Sequence, residues 1–144
     1  MGWLCDDFGG YKASFSLGVT EIGCMACARR KFFELHATNK SQLAEQALRY
    51  IQVLYEIERE VRDLEPDLRR RIRQEKAAPA MDVLHTWMIA QRERVHDGVA
   101  IAKAFDFSLK RWTALSRYLD DGAVPIDNNH AEQQIRPWAL GRKN

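Results

Sequence analysis

Ile126-Asp-Asn-Asn-His-Ala-Glu-Gln-Gln-Ile-Arg-Pro-Trp-Ala-Leu-Gly-Arg-Lys-Asn144 places one carboxylate, Glu132, on a short predicted helix between a polar cap and a basic tail. Asp127 is a good N-cap, because its carboxylate can accept from the unpaired amides of a first helical turn, and Asn128 and Asn129 follow it. Glu132 then lies one turn in. Arg136-Pro137 marks where regular helix falters, since a residue before proline is pushed out of the α region. The pattern predicts an acid on a rigid element beside the cations Arg136, Arg142 and Lys143.

At the opposite end, Trp3-Leu4-Cys5 reads as a short apolar strand that Asp6-Asp7-Phe8-Gly9-Gly10-Tyr11-Lys12 breaks abruptly, which leaves a carboxylate at the strand's end. Taken singly, Asp6 is an ordinary turn residue and Glu132 an ordinary surface acid. Together and in this order they carry more. The terminal block resembles, nearly letter for letter, the signature of insertion sequence family 66 transposases, in which the Glu closes an Asp-Asp-Glu metal site. Asp6 matches the family's second catalytic aspartate, with Asp7 a rival by one residue. The resemblance continues through Gly18-Val19-Thr20-Glu21-Ile22-Gly23-Cys24 and Ala28-Arg29-Arg30-Lys31-Phe32-Phe33, and so covers essentially the whole chain.

What the resemblance implies is a DNA transposase that cleaves and joins the ends of a bacterial mobile element, with DNA as its partner through terminal inverted repeats. The implied fold is α/β by ancestry: a partial ribonuclease-H-like core of few strands with a large all-helical insertion, mostly α overall. Residues 1–36 would be the core part, 41–119 the insertion and 120–144 the Glu-bearing motif. Asp6 and Glu132 would ligate Mg²⁺ or Mn²⁺, since hard cations take oxygen ligands and a two-metal site activates the attacking oxygen and stabilises the phosphoryl group. The family's first aspartate would lie upstream of Met1, so the chain is expected to be truncated at both ends and inactive alone in strand transfer.

Charge by itself does not point to nucleic acid, because 22 basic and 20 acidic residues leave a net charge of only +2. Distribution says more. From Cys24 to Lys40 there are four cations against one Glu, and from Gln133 to Asn144 three against none. Arg29, Arg30, Lys31, Arg136, Arg142 and Lys143 are therefore the candidate phosphate contacts, which supply affinity and salt dependence without reading sequence. Between them, Ser41 to Lys76 carries eight of each sign, the composition of a solvated helical surface.

Three cysteines without a signal peptide suggest a reduced, cytoplasmic protein. No apolar run approaches the length of roughly 18 residues that crosses a bilayer, which argues against a membrane partner. Cys24-Met25-Ala26-Cys27 is half of a zinc site with no second pair, so structural zinc is not expected. The family usually shows His where Cys27 stands, and this departure puts any role of that His in doubt.

After a short predicted strand in the β-branched run bounded by Gly18 and Gly23, the chain from Met25 onward reads as helix. The spacing predicts a helix over 26–36 and another after the N-cap Ser41, with Leu43, Ala47, Tyr50, Leu54, Ile57, Val61 and Leu64 recurring at alternate steps of four and three. That stripe suits an intramolecular hairpin or, through the 41–64 helix, self-association. Pro66 and Pro79 are each read as opening a helix. Residues 99–119 are read as one last long helix that Asp120-Asp121-Gly122 stops. A rival reading is a non-catalytic remnant that acts through helix-mediated contacts or nucleic-acid binding. A third, a zinc-dependent binding module on Cys24 and Cys27, needs bound metal.

Overall fold

The computed structural model describes residues 23–127. These are helical, with no strand among them; the run between Gly18 and Gly23, read as the second strand, lies outside the described residues. The first expected strand lies outside the described residues. The elements are α1 (Met25–Asn39), α2 (Gln42–Val61), α3 (Pro66–Ile72), a π-helical segment (Arg73–Ala77), α4 (Ala78–Arg94), α5 (Ala100–Lys110), α6 (Trp112–Ser116) and a closing 3₁₀ turn (Arg117–Leu119).

A two-residue link joins α1 to α2 as a helical hairpin. Lys40 takes a left-handed conformation (φ 53°, ψ 37°), and its N–H donates to His36 O, which ends α1. Ser41 then caps α2 as expected, its Oγ accepting from Ala44 N at 3.1 Å. The α2 stripe is buried as Ala44, Ala47, Ile51, Leu54, Ile57 and Val61 and packs on α1 and α4. Leu43 and Tyr50 from the predicted stripe lie at its margin and Ile51 takes a central place, a rotation of one residue. The face that would have served self-association is thus buried inside the same chain.

Arg69 closes the far end of α2. Its guanidinium donates to the carbonyls of Val61, Arg62 and Leu64, which a helix C-terminus otherwise leaves unpaired, and to Gly122 O at 2.8 Å. Gly122 is sterically required here, because a Cβ would fall 1.8 Å from Pro66 O.

Two helices were expected across 66–95; the structure has one continuous helical column. Pro79 offers no N–H to the carbonyl four residues back and its ring crowds that turn. The chain answers by widening just before it: residues 73–77 are π-helical, and the N–H of Ala78 reaches Arg73 O. The extra residue turns Arg73 and Ala77 inward, where both are buried.

The last long helix was expected unbroken and is not. It stops at Lys110, Arg111 bends (φ −106°, ψ 16°), and α6 resumes in a new direction. The bend presents Ala114 O to Gly23 N at 2.9 Å. A Cβ on Gly23 would sit 2.6 Å from Leu115 N, so the chain can lean on the α6 backbone only because it has no side chain there. Between α4 and α5, Arg92 bridges Asp97 and Asp106 at 2.7 and 2.8 Å across the Gly98 turn. The core that results holds Phe32, Ile51, Leu54, Met81, Leu84, Met88, Phe105 and Leu115.

Candidate nucleic-acid interface

The site is built where the described chain begins and ends. Met25 N donates to Ile126 O at 3.2 Å, so residues a hundred apart in sequence leave the helical body side by side. Ile126 is buried against the core cluster, and Asp127 beside it is buried as well. Tyr55, from α2, donates its hydroxyl to Asp127 Oδ2 at 2.7 Å. Burial, then the Asp127 charge and hydrogen bond, push the phenol far above its ordinary range, while the nearby Arg29 cation pulls it down. Tyr55 therefore remains a neutral donor. The guanidinium of Arg29 lies over its ring, 4.9 Å from the centroid.

This arrangement makes Asp127 a fixed point. The sequence reads it as the cap of the Glu132 helix, and that helix lies outside the described residues; the tether from α2 was not foreseen. The only sequence signal was a tyrosine on the flank of the apolar stripe, next to Leu54. Tyr55→Phe is expected to cost about 1–2 kcal/mol, because it withdraws a donor from a buried carboxylate. Urea unfolding of Tyr55→Phe, Asp127→Asn and the double variant measures this. A coupling below about 0.5 kcal/mol would show that the two side chains act independently.

Among the candidate phosphate contacts, the structure places Arg29, Arg30 and Lys31; Arg136, Arg142 and Lys143 lie outside the described residues, as do Asp6, Asp7 and Glu132. The three consecutive cations do not form one patch. Successive helical residues point about 100° apart, so three in a row fan across more than half the circumference. Arg29 and Arg30 line a groove between α1 and α2 together with Ala26, Phe33, Leu48 and Gln52. Lys31 sits on the other flank, its Nζ 4.9 Å from the centroid of the Phe107 ring, which Arg111 also approaches at 4.0 Å. Lys31 thus belongs to the α1–α5 contact.

Among the described residues no group of three or more His, Cys, Asp or Glu side chains is placed to hold a metal ion. Cys24 is buried and makes no disulfide. Cys27 is disulfide-bonded, which corrects the expectation that every cysteine is reduced. No helix among the described residues is long and apolar enough to cross a membrane.

Comparison with known proteins adds a family. The model described as "Transposase IS66 family" matches residues 2–144. Three proteins of Sinorhizobium fredii (strain NBRC 101917 / NGR234), each described as uncharacterized, are similar. They are y4hP, 35% identical over 92% of this chain and 26% of its own length; y4jD, 35% over 84% and 24%; and y4qI, 36% over 85% and 23%. The chain therefore spans about a quarter of the length of these curated relatives. No solved structure matches.

Proposed function

Because the chain belongs to the IS66 transposase family, we propose that it supplies part of a catalytic domain that cuts and joins the DNA ends of a bacterial insertion sequence, with Asp6 and Glu132 as two carboxylate ligands of a shared divalent cation. The observation that carries this reading is the junction of Met25 with Ile126. An insertion can hang from a catalytic core only if its two ends meet, and helices α1 to α6 begin and finish at neighbouring points. Glu132 follows Asp127 by five residues, a reach of at most about 18 Å. The acid that completes the site is in this way tied to the same junction from which the chain leads back toward Asp6.

On this reading the helices between Met25 and Ile126, a span wider than the 41–119 read from the sequence, form a helical insertion in a ribonuclease-H-like core, and DNA is the substrate. The donor set fits Mg²⁺ or Mn²⁺: carboxylate oxygens on short-reach side chains, which leave such ions several waters. When bound, the cation would supply an activated oxygen nucleophile and neutralise charge on the phosphoryl group. The protein's part is positional. Tyr55 and the α1 amide hold the start of the Glu132 segment, and Arg29, Arg30, Arg136, Arg142 and Lys143 are assigned to the phosphate backbone.

Mn²⁺ binding to the 144-residue chain, followed by electron paramagnetic resonance, tests the ligand assignment. Asp6→Asn and Glu132→Gln should each weaken binding by more than about tenfold, the lower range seen for mere outer-shell losses; Asp7→Asn should leave it unchanged. Equal binding by wild type and both ligand variants would remove the shared site.

A further inference from the structure

Adjacent phenylalanines on α1 have opposite fates. Phe32 is fully buried, whereas Phe33 is 59% exposed, the highest value among the exposed large apolar side chains of the described residues. Its ring does not stand in isolation. It forms one wall of the α1–α2 groove, a hollow of about 420 Å³ whose described lining is Ala26, Arg29, Arg30, Phe33, Leu48 and Gln52. Two guanidiniums, one open aromatic face and one amide thus border an apolar floor, and no carboxylate is among the described lining residues. Gln52 Nε2 meets Glu56 at 3.5 Å, a contact long enough to yield to a better partner.

That set matches the parts of a nucleotide. Guanidiniums take phosphate oxygens in a forked geometry. An exposed phenyl ring offers a face to a base, and every base has one, so the contact is tolerant of sequence. An amide can meet a base edge with both donor and acceptor. A paired base within a duplex is already stacked on both sides and has no face to offer. The groove is therefore suited to an unpaired nucleotide, and a wholly apolar ligand would leave the two cations unmatched.

The position of the groove gives this chemistry a place. Arg29 belongs both to the groove and to the Tyr55 contact, and Tyr55 holds Asp127 at the start of the Glu132 segment. We propose that the α1–α2 groove binds an unpaired nucleotide of the DNA substrate, its phosphate on Arg29 and Arg30 and its base stacked on Phe33. The groove then serves as a seat for a single-stranded DNA end. This rests on the DNA-processing reading above and adds a strand preference that the family assignment does not contain.

Fluorescence anisotropy with a labelled single-stranded oligothymidylate and a blunt duplex of equal length, at two salt concentrations, tests it on the 144-residue chain. Phe33→Ala should weaken single-strand binding by about 5- to 100-fold, the range for loss of one stacking aromatic, and duplex binding by less than about twofold. Phe33→Trp should retain or tighten it. Arg29→Glu/Arg30→Glu should weaken both DNAs and reduce the single-strand salt slope by about 1.4, the share of two phosphates. If Phe33→Ala changes neither DNA, or both equally, while the arginine variant still acts, the stacking seat is wrong and the DNA reading stands. If wild type binds neither DNA, the DNA reading fails and the seat with it. Phe33 is exposed, so its variants should keep the helical circular dichroism of the wild type.

Discussion

Arg73→Ala should lower the unfolding free energy by about 3–5 kcal/mol, the usual result of removing one partner from a buried ion pair. Arg73 is only 2% exposed, and each nitrogen of its guanidinium donates a hydrogen bond. Nε and Nη2 form a forked pair with the two carboxylate oxygens of Glu58, both at 2.8 Å. Nη1 donates to the carbonyls of Tyr118, Val124 and Asp121 at 2.7, 2.9 and 3.2 Å, and the guanidinium lies over the Tyr118 ring. Truncation would strand the Glu58 charge and three carbonyls at once. Arg73→Lys keeps the charge but not the planar fork, so it should recover only a small part. Arg73→Met/Glu58→Leu should recover more, by removing both charges, yet not all, because the carbonyls remain without a donor. Urea unfolding followed by circular dichroism gives the values. A loss below about 1 kcal/mol for Arg73→Ala would mean that water replaces the guanidinium. The consequence reaches the proposed site, since Arg73 pins the 118–124 turn that delivers Ile126 and Asp127 to α1.

That residue also shows where reading the chain alone stops. Helix α1, the Ser41 cap, the α2 stripe and the end of the last helical stretch at Asp120-Asp121-Gly122 were legible, because each depends on neighbours within a few positions. Arg73 was not. It lies in a stretch of balanced charge whose composition suggests a solvated surface, and its burial depends on the π segment that Pro79 calls for six residues later. The break at Arg111 was hidden for a similar reason: apolar spacing runs through it, and the cause is a contact with Gly23, far away in sequence. The candidate site divides along the same line. Its basic residues were visible as a run, but which of them share a groove is settled by helical rotation and by α2. Tyr55 became recognisable only once Asp127 was beside it. The residues that carry the family resemblance most strongly, Asp6 and Glu132, lie outside the described residues, so their meeting remains a proposal that the Mn²⁺ experiment decides.

Phe32→Ala is expected to cost about 3–5 kcal/mol, against less than about 0.5 kcal/mol for the same change at Phe33. The difference follows from what each ring touches. Phe32 packs on Phe105 with ring centroids 5.6 Å apart; Phe105 meets the edge of Trp87 at 5.7 Å, and Trp87 meets Tyr50 at 5.1 Å. This aromatic series ties α1 to α5, α4 and α2, so a cavity at Phe32 opens at the joint of four helices. Phe32→Leu fills most of that volume and should cost less than half as much. A domain of this size has about 5–15 kcal/mol of stability in all, so Phe32→Ala should populate unfolded chain well before Phe33→Ala shows any effect. The pair separates folding from binding on one helical turn. At a temperature where Phe32→Ala remains folded, it should bind single-stranded DNA nearly as wild type does, whereas Phe33→Ala, with wild-type stability, should not. A Phe32 variant that loses DNA binding while its helical signal and urea midpoint stay unchanged would place the base contact in the core, where the structure has no room for one.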